Sequence, residues 1–162
     1  MNEKISFELL LESYKSHLEK GICNPNLEVK ASTIPDAGLG VFAKTDFAPQ
    51  DIVEFCHCVV FDWRRKYIRE PRVEQYAYSP ACQCDDCKKH GAQIVMPMGF
   101  GMIYNSAPTE EAMNCFFAIV PAHRMMAFIA KKPIKAGEEV LTWWGQNYFD
   151  KWCKRKDEPA AQ

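Results

Sequence analysis

The densest group of reactive side chains is Cys82-Gln83-Cys84-Asp85-Asp86-Cys87-Lys88-Lys89-His90, three thiols and an imidazole within nine residues. Deprotonated thiols and a neutral imidazole make a zinc-binding set. Cys82, Cys84, Cys87 and His90 are therefore the candidate metal ligands, with Cys115 as an alternative fourth. The spacing is tighter than in common zinc fingers, and a polar turn carrying free surface cysteines reads the same way. Three other stretches combine glycines with polar and aromatic side chains. They are Ala37-Gly38-Leu39-Gly40-Val41-Phe42-Ala43, then Gly101–Pro108 followed by Asn114-Cys115, then Lys132–Gly145 with Gly137-Glu138-Glu139 and Trp143-Trp144-Gly145 inside it. A Gly-x-Gly marks either a turn that needs positive φ or a place where a ligand lies against bare backbone. It is not a phosphate-binding fingerprint, because no third glycine stands at the required spacing and no helix follows.

The whole chain sets bounds on this chemistry. Its 162 residues make one domain, 48% apolar and 25% charged, which is globular composition. Twenty basic and 21 acidic residues leave a net charge of −1, which disfavours a dedicated nucleic-acid binder. No apolar run approaches the ~20 residues that span a bilayer. Met1-Asn2-Glu3-Lys4 does not open a secretory signal. The expected location is intracellular, cytoplasmic or nuclear, where the eight cysteines read as thiols or metal ligands rather than disulfides.

The elements that must position these residues follow from periodicity. Phe7, Leu10, Leu11, Tyr14 and Leu18 recur at helical spacing, so residues 3–20 form a helix, capped by Asn2 and stopped by Gly21. From residue 27 the texture is short strands: Leu27–Lys30, Gly40–Ala43, Ile52–Phe55, Cys58–Phe61, Ile94–Met96 and Val140–Thr142. Cys115–Val120 and Arg124–Ala130 form a hairpin. Asp62 caps a helical insert over 62–75 that carries Arg64, Arg65, Lys66, Arg69 and Arg72. Residues 80–91 are a cysteine-rich turn between strands. A last helix over 147–156 carries Tyr148, Phe149 and Trp152, and 157–162 is a tail. Alternation sends Cys56 and Cys58 to one face as packing thiols. The expected architecture is mostly β with flanking helices, a first helix over 1–21 packed on a domain over 22–156.

The order and separation of the three glycine-bearing stretches resemble the SET-domain family, protein lysine methyltransferases that use S-adenosylmethionine. Gly38-Leu39-Gly40 looks like that family's Gly-x-Gly strand opening. Asn105-Ser106-Ala107-Pro108 looks like its Asn-His-Ser-x-x-Pro-Asn signature. Gly137-Glu138-Glu139-Val140-Leu141 looks like its Gly-Glu-Glu-Leu turn before an aromatic-Gly pair. The resemblance runs from Leu27 to Trp152. It implies a β-clip fold of small curved sheets with a C-terminal pseudoknot. It also implies a cofactor cradled at Gly38, Leu39 and Gly40, held by Asn105, met at its adenine edge by the Asn105 and Ser106 backbone, and stacked on Phe149 or Trp152. The partner it implies is a protein or peptide that presents a lysine through an aromatic channel, with Tyr76, Tyr78 and Tyr104 as the nearby tyrosines. Methyl transfer from a sulfonium is an in-line displacement, so alignment does most of the work. Desolvation in the channel favours the neutral amine.

The chain departs from the pattern in three places. Ser106 stands where the family has histidine. The loop from Asn105 to Asn114 is three residues longer than usual. Trp144 occupies the position of the family's active-site tyrosine, and an indole has a donor but no acceptor oxygen. Either Tyr148 or Tyr104 substitutes, or turnover is weak, or the chain is a SET-fold binding module. A zinc-stabilised nucleic-acid module, built on the 62–75 basic patch and the cysteines, ranks last.

Overall fold

The computed structural model describes residues 6–20, 24–62, 76–78, 85–90, 93–120 and 123–148. Helix α1 spans Phe7–Lys20. The Ser6 hydroxyl accepts the Leu9 amide at 3.2 Å and caps the helix; Asn2 and Gly21, the expected cap and stop, lie outside the described residues. Leu10 and Tyr14, four residues apart, share one buried face. The Tyr14 hydroxyl lies 3.0 Å from His57 Nδ1 and pins the helix to the sheet.

Strands β1 (Leu27–Ala31) and β2 (Leu39–Ala43) pair antiparallel, with Leu27 opposite Ala43. The turn between them closes where the Ser32 amide donates to the Gly38 carbonyl at 2.9 Å. Gly38 has φ +77°, a conformation that costs a glycine nothing.

Strand β3 runs unbroken over Ile52–Asp62, where the sequence suggested two short strands. Alternation carries straight through His57, with Cys56 and Cys58 buried on one side and His57 facing α1 on the other. Asp62 ends this strand; the expected helical insert and its basic residues, 63–75, lie outside the described residues. β3 pairs antiparallel with β4 (Gln93–Pro97) and β7 (Met125–Ala130), and β7 with β6 (Cys115–Val120). The sheet order is β4-β3-β7-β6, and β6–β7 is the expected hairpin. Met126, Phe128 and Ala130 of β7 enter the main core, while Met125, Ala127 and Ile129 pack under α1. Two covered faces explain why every residue of β7 is buried.

β3 has a bulge at Val53. Ile52 sits opposite Ile129 and Glu54 opposite Phe128, so two steps on β3 match one on β7. The extra residue changes the phase: Ile52 packs toward α1, and Glu54 turns into the main core.

Between β3 and β4, Asp85–His90 form a short helix, α2, where the sequence suggested a turn. Acidic residues open it and basic ones close it, which suits the helix dipole. A 3₁₀ turn, Gly99–Met102, leads to β5 (Asn105–Ser106), which pairs in parallel with β8 (Leu141–Thr142). Asn114 clamps the same segment, donating to the Glu139 carbonyl and accepting the Leu141 amide, both at 2.8 Å. On its other side the Val140 amide donates to the Val41 carbonyl at 2.8 Å. Residues 139–142 therefore thread between β2 and the 105–114 segment, which is the expected pseudoknot. The expected last helix begins as a single turn, α3 (Gln146–Tyr148); residues beyond 148 are outside the described set. Among the described residues, no helix is long and apolar enough to cross a membrane.

Candidate active site

The pseudoknot gathers the three glycine-bearing stretches around one carboxylate. Glu139 Oε1 accepts from the Ser32 hydroxyl at 2.8 Å and from Asn105 Nδ2 at 2.9 Å. Glu139 Oε2 accepts from the Thr33 amide at 2.7 Å and from the Thr33 hydroxyl. Burial alone would raise this carboxyl's pKa, but the hydrogen bonds from Thr33, Asn105 and Ser32 outweigh it and hold the pKa below the usual range. Glu139 is therefore ionised at neutral pH. The carboxylate also fixes the residue type above it, because a Cβ on Gly40 would collide with Oε1.

Asn105 completes the cradle. Its Nδ2 donates to the Leu39 carbonyl at 2.9 Å, to Glu139, and at 3.1 Å to the Ser32 hydroxyl. The amide hydrogens thus tie β2, the Ser32 turn and Glu139 to one point. Open space lies over Gly38, where a Cβ would meet nothing within 4 Å. Beside it Leu39 is 57% exposed. Ser106 sits next to the cradle, its hydroxyl accepting the Trp144 amide at 3.4 Å.

An aromatic wall stands on the far side of β5. The Tyr78 ring lies 4.5 Å from Trp144 and 5.0 Å, edge-on, from Phe117; Trp144 lies 4.6 Å from Tyr148. Tyr78 is buried and its hydroxyl donates to the Gly101 carbonyl at 2.9 Å. The Trp144 indole N–H donates to the Thr142 hydroxyl at 2.7 Å. The indole donor is thus spent inside the fold. Trp144 and Tyr148 are half-buried, whereas Tyr76 is exposed. Tyr104 is no channel phenol: its ring is buried 4.2 Å from Phe128, and its hydroxyl donates to Glu54 Oε2 at 2.9 Å. Of the three catalytic candidates, Trp144 and Tyr148 line the wall and Tyr104 lies behind it.

Phe149 and Trp152 fall outside the described residues, as do Cys82 and Cys84. Cys87 and His90 fall on α2. Among the described residues, no group of three or more histidine, cysteine or acidic side chains is placed to hold a metal. Cys115 is fully buried in the main core, and burial pushes its thiol strongly up. A cavity of about 520 Å³ lies elsewhere, between α1 and β3, lined by Leu9, Ser13, Asn24, Ile52 and Phe55 among others.

Sequence reasoning missed Glu139 and Glu54. Glu139 was inside a quoted motif, but its neighbour Glu138 looks identical and is only an exposed turn cap on the Lys135 amide. The available signal for Glu54 was its phase, since it alternates with Cys56 and Cys58.

A family model described as SET domain matches residues 38–145. Solved structures of like fold include a Plasmodium falciparum protein assigned as a histone methyltransferase, at 20% identity and TM-score 0.57, covering 76% of this chain and 96% of that one. ATXR5 in complex with mono-methylated histone H3.1 matches at 15% identity and TM-score 0.62, covering 89% of this chain and 68% of that one. The ATXR5 SET domain in complex with di-methylated histone H3 matches at 15% identity and TM-score 0.63, covering 89% and 69%. No curated protein matches the chain.

Proposed function

Because the chain belongs to the SET-domain family, we propose that it transfers a methyl group from S-adenosylmethionine to a lysine side chain of a protein substrate. The observation that carries this reading is the Asn105 amide, which ties the Gly-x-Gly strand, the Asn-Ser segment and the Gly-Glu-Glu turn to one point. The residues present fit a cationic ligand of mixed polarity. Gly38 leaves its backbone bare, Leu39 offers exposed apolar surface, and ionised Glu139 beneath Gly40 favours positive charge nearby. Leu39 and Asn105 would hold the amino-acid part, the backbone at Ser106 the adenine edge, and Phe149 or Trp152 its face. Bound there, the cofactor would supply a methyl group on a sulfonium.

The chain's own residues then do two things. The cradle holds the cofactor in one orientation, which an in-line displacement requires. The wall of Trp144 and Tyr148 disfavours a charged amine by desolvation, drawing the lysine from its free pKa of about 10.4 toward the neutral nucleophile.

A second reading has its own support. The Trp144 donor is committed to Thr142, so it cannot replace a phenol at the reacting atoms. A module that binds cofactor and peptide but turns over slowly fits that feature. Calorimetric titration of S-adenosylmethionine into the protein and into Asn105→Ala tests the first reading. Saturable binding that the substitution removes supports it, and no binding to the folded protein sinks it. Labelled methyl transfer to a lysine peptide array then separates the two, because Trp144→Tyr raises turnover only if the missing phenol is what limits it.

A further inference from the structure

Of the two buried carboxylates among the described residues, Glu139 builds the cradle, whereas Glu54 has no task in the chemistry above. Glu54 is 1% exposed. Its partners stand at the two ends of one short stretch. The Phe100 amide donates to Oε1 at 3.2 Å, and the Tyr104 hydroxyl donates to Oε2 at 2.9 Å. Between those ends is Gly101, whose carbonyl accepts the Tyr78 hydroxyl of the aromatic wall. Directly after them comes Asn105. The stretch has little slack: a Cβ on Gly101 would stand 2.5 Å from Pro97 Cβ and 2.9 Å from Cys56 Sγ. Glu54 keeps the phase of Cys56 and Cys58, and the bulge at Val53 lets Ile52, two residues earlier, pack on the other side of the sheet.

We propose, resting on the cofactor reading above, that Glu54 is a positioning residue. Its ionised carboxylate holds the 100–104 stretch, and with it the Gly101 carbonyl and the Asn105 amide, so that proton uptake at Glu54 weakens cofactor binding. The direction follows from the donors. The Phe100 amide and the Tyr104 hydroxyl both donate to Glu54 as to a carboxylate, which only accepts. A carboxylic acid keeps the Phe100 amide on its carbonyl oxygen but brings an O–H of its own, so the Tyr104 hydroxyl must reverse from donor to acceptor and the charge-assisted hold on that end of the stretch is lost. The titratable groups facing it are Tyr104 from the 100–104 stretch, Cys56 on β3, Cys115 on β6, and Tyr78. β7 contributes Phe128 and no titratable group. Burial pushes all four of these thiols and phenols up, so they are neutral near pH 7. Among the described residues, no cation contributes to the titration of Glu54. Burial is the largest influence on it and pushes its pKa up to about 7, within reach of ordinary pH changes.

The test is cofactor affinity by calorimetry from about pH 5.5 to about 8.5 on the full chain, for wild type, Glu54→Gln and Tyr104→Phe. In the same samples, carbon-detected NMR follows the Glu54 carboxyl and the Asn105 side-chain amide. Wild-type affinity is expected to fall about tenfold per pH unit below a midpoint shared by both NMR signals. Glu54→Gln is expected to remove the step. Tyr104→Phe, by deleting a donor to the carboxylate, is expected to move the midpoint upward, which a merely structural change would not do. Affinity independent of pH, or a step that survives Glu54→Gln, overturns the role and leaves the cofactor reading standing. Should the cofactor bind at no pH, that reading fails, and an Asn105 amide that does not titrate with Glu54 overturns the positioning role as well. If Glu54→Gln does not fold, the Tyr104→Phe midpoint decides, and an unmoved midpoint counts against the proposal.

Discussion

The cradle and the aromatic wall each rest on a buried carboxylate, and the two carboxylates are balanced in opposite ways. Glu139 is ringed by an amide N–H, two hydroxyls and an asparagine amide, and these donors hold its pKa low despite burial. Glu54 lies in an apolar core with two hydrogen-bond donors, the Phe100 amide and the Tyr104 hydroxyl, and a neighbouring thiol, and burial wins. Desolvation acts on both, and the number and directness of the donors decides the sign. One side of the site therefore carries a fixed negative charge, and the other carries a charge that solution pH can remove.

That contrast can be broken at four points. Glu139→Ala leaves a backbone amide, two hydroxyls and the Asn105 amide unmatched, and is expected to cost about 4 kcal/mol of stability in urea denaturation at neutral pH. A loss under about 1 kcal/mol would mean the donors find water at no cost, and the contrast would collapse. The pH dependence comes next. Between the ordinary carboxyl value of 4.5 and about 7, folded Glu54 keeps a proton that the unfolded chain has lost, so its contribution makes stability fall as pH rises. Glu54→Gln should gain on wild type by roughly 3 kcal/mol across that window. Glu139 acts with the reverse sign: its contribution is present above its unfolded value and is lost on acidification. Gly40→Ala forces a methyl against the Glu139 carboxylate and should cost about 2 kcal/mol, with cofactor affinity lost alongside. Tyr104→Phe should cost about 1 kcal/mol above pH 7 and less below it, because the hydrogen bond to an ionised Glu54 is stronger than that to the neutral acid.

Sequence pattern reached the cradle more readily than the wall. Gly38, Leu39, Gly40, Asn105 and the Gly-Glu-Glu turn stood out through the resemblance of their order and separation to the SET-domain family. The β6–β7 hairpin and α1 followed from periodicity. Alternation placed Cys56 and Cys58 together inside, and the same phase applied to Glu54 would have marked it as buried. What alternation does not reveal is the bulge at Val53, which depends on pairing with β7. Tyr104 misled for a related reason. Its closeness in sequence to Asn105 suggested a place in the channel, whereas strand geometry sends successive side chains to opposite faces. The helical turn at Asp85–His90 was hidden by cysteines that drew attention to ligand spacing rather than to end charges.

The threading of residues 139–142 between β2 and the 105–114 segment also constrains how the molecule comes into being. Ser32 and Glu139 meet across 107 positions of chain. The cradle cannot be completed while the polypeptide is still short, since its acidic centre emerges after every donor that surrounds it. At a synthesis rate of roughly 5–20 residues per second, the Gly-x-Gly strand waits several seconds for its partner. Contacts of such long range are slow to form once they are possible. During that interval the Val41 carbonyl on the edge of β2 lacks the Val140 amide that meets it in the finished fold.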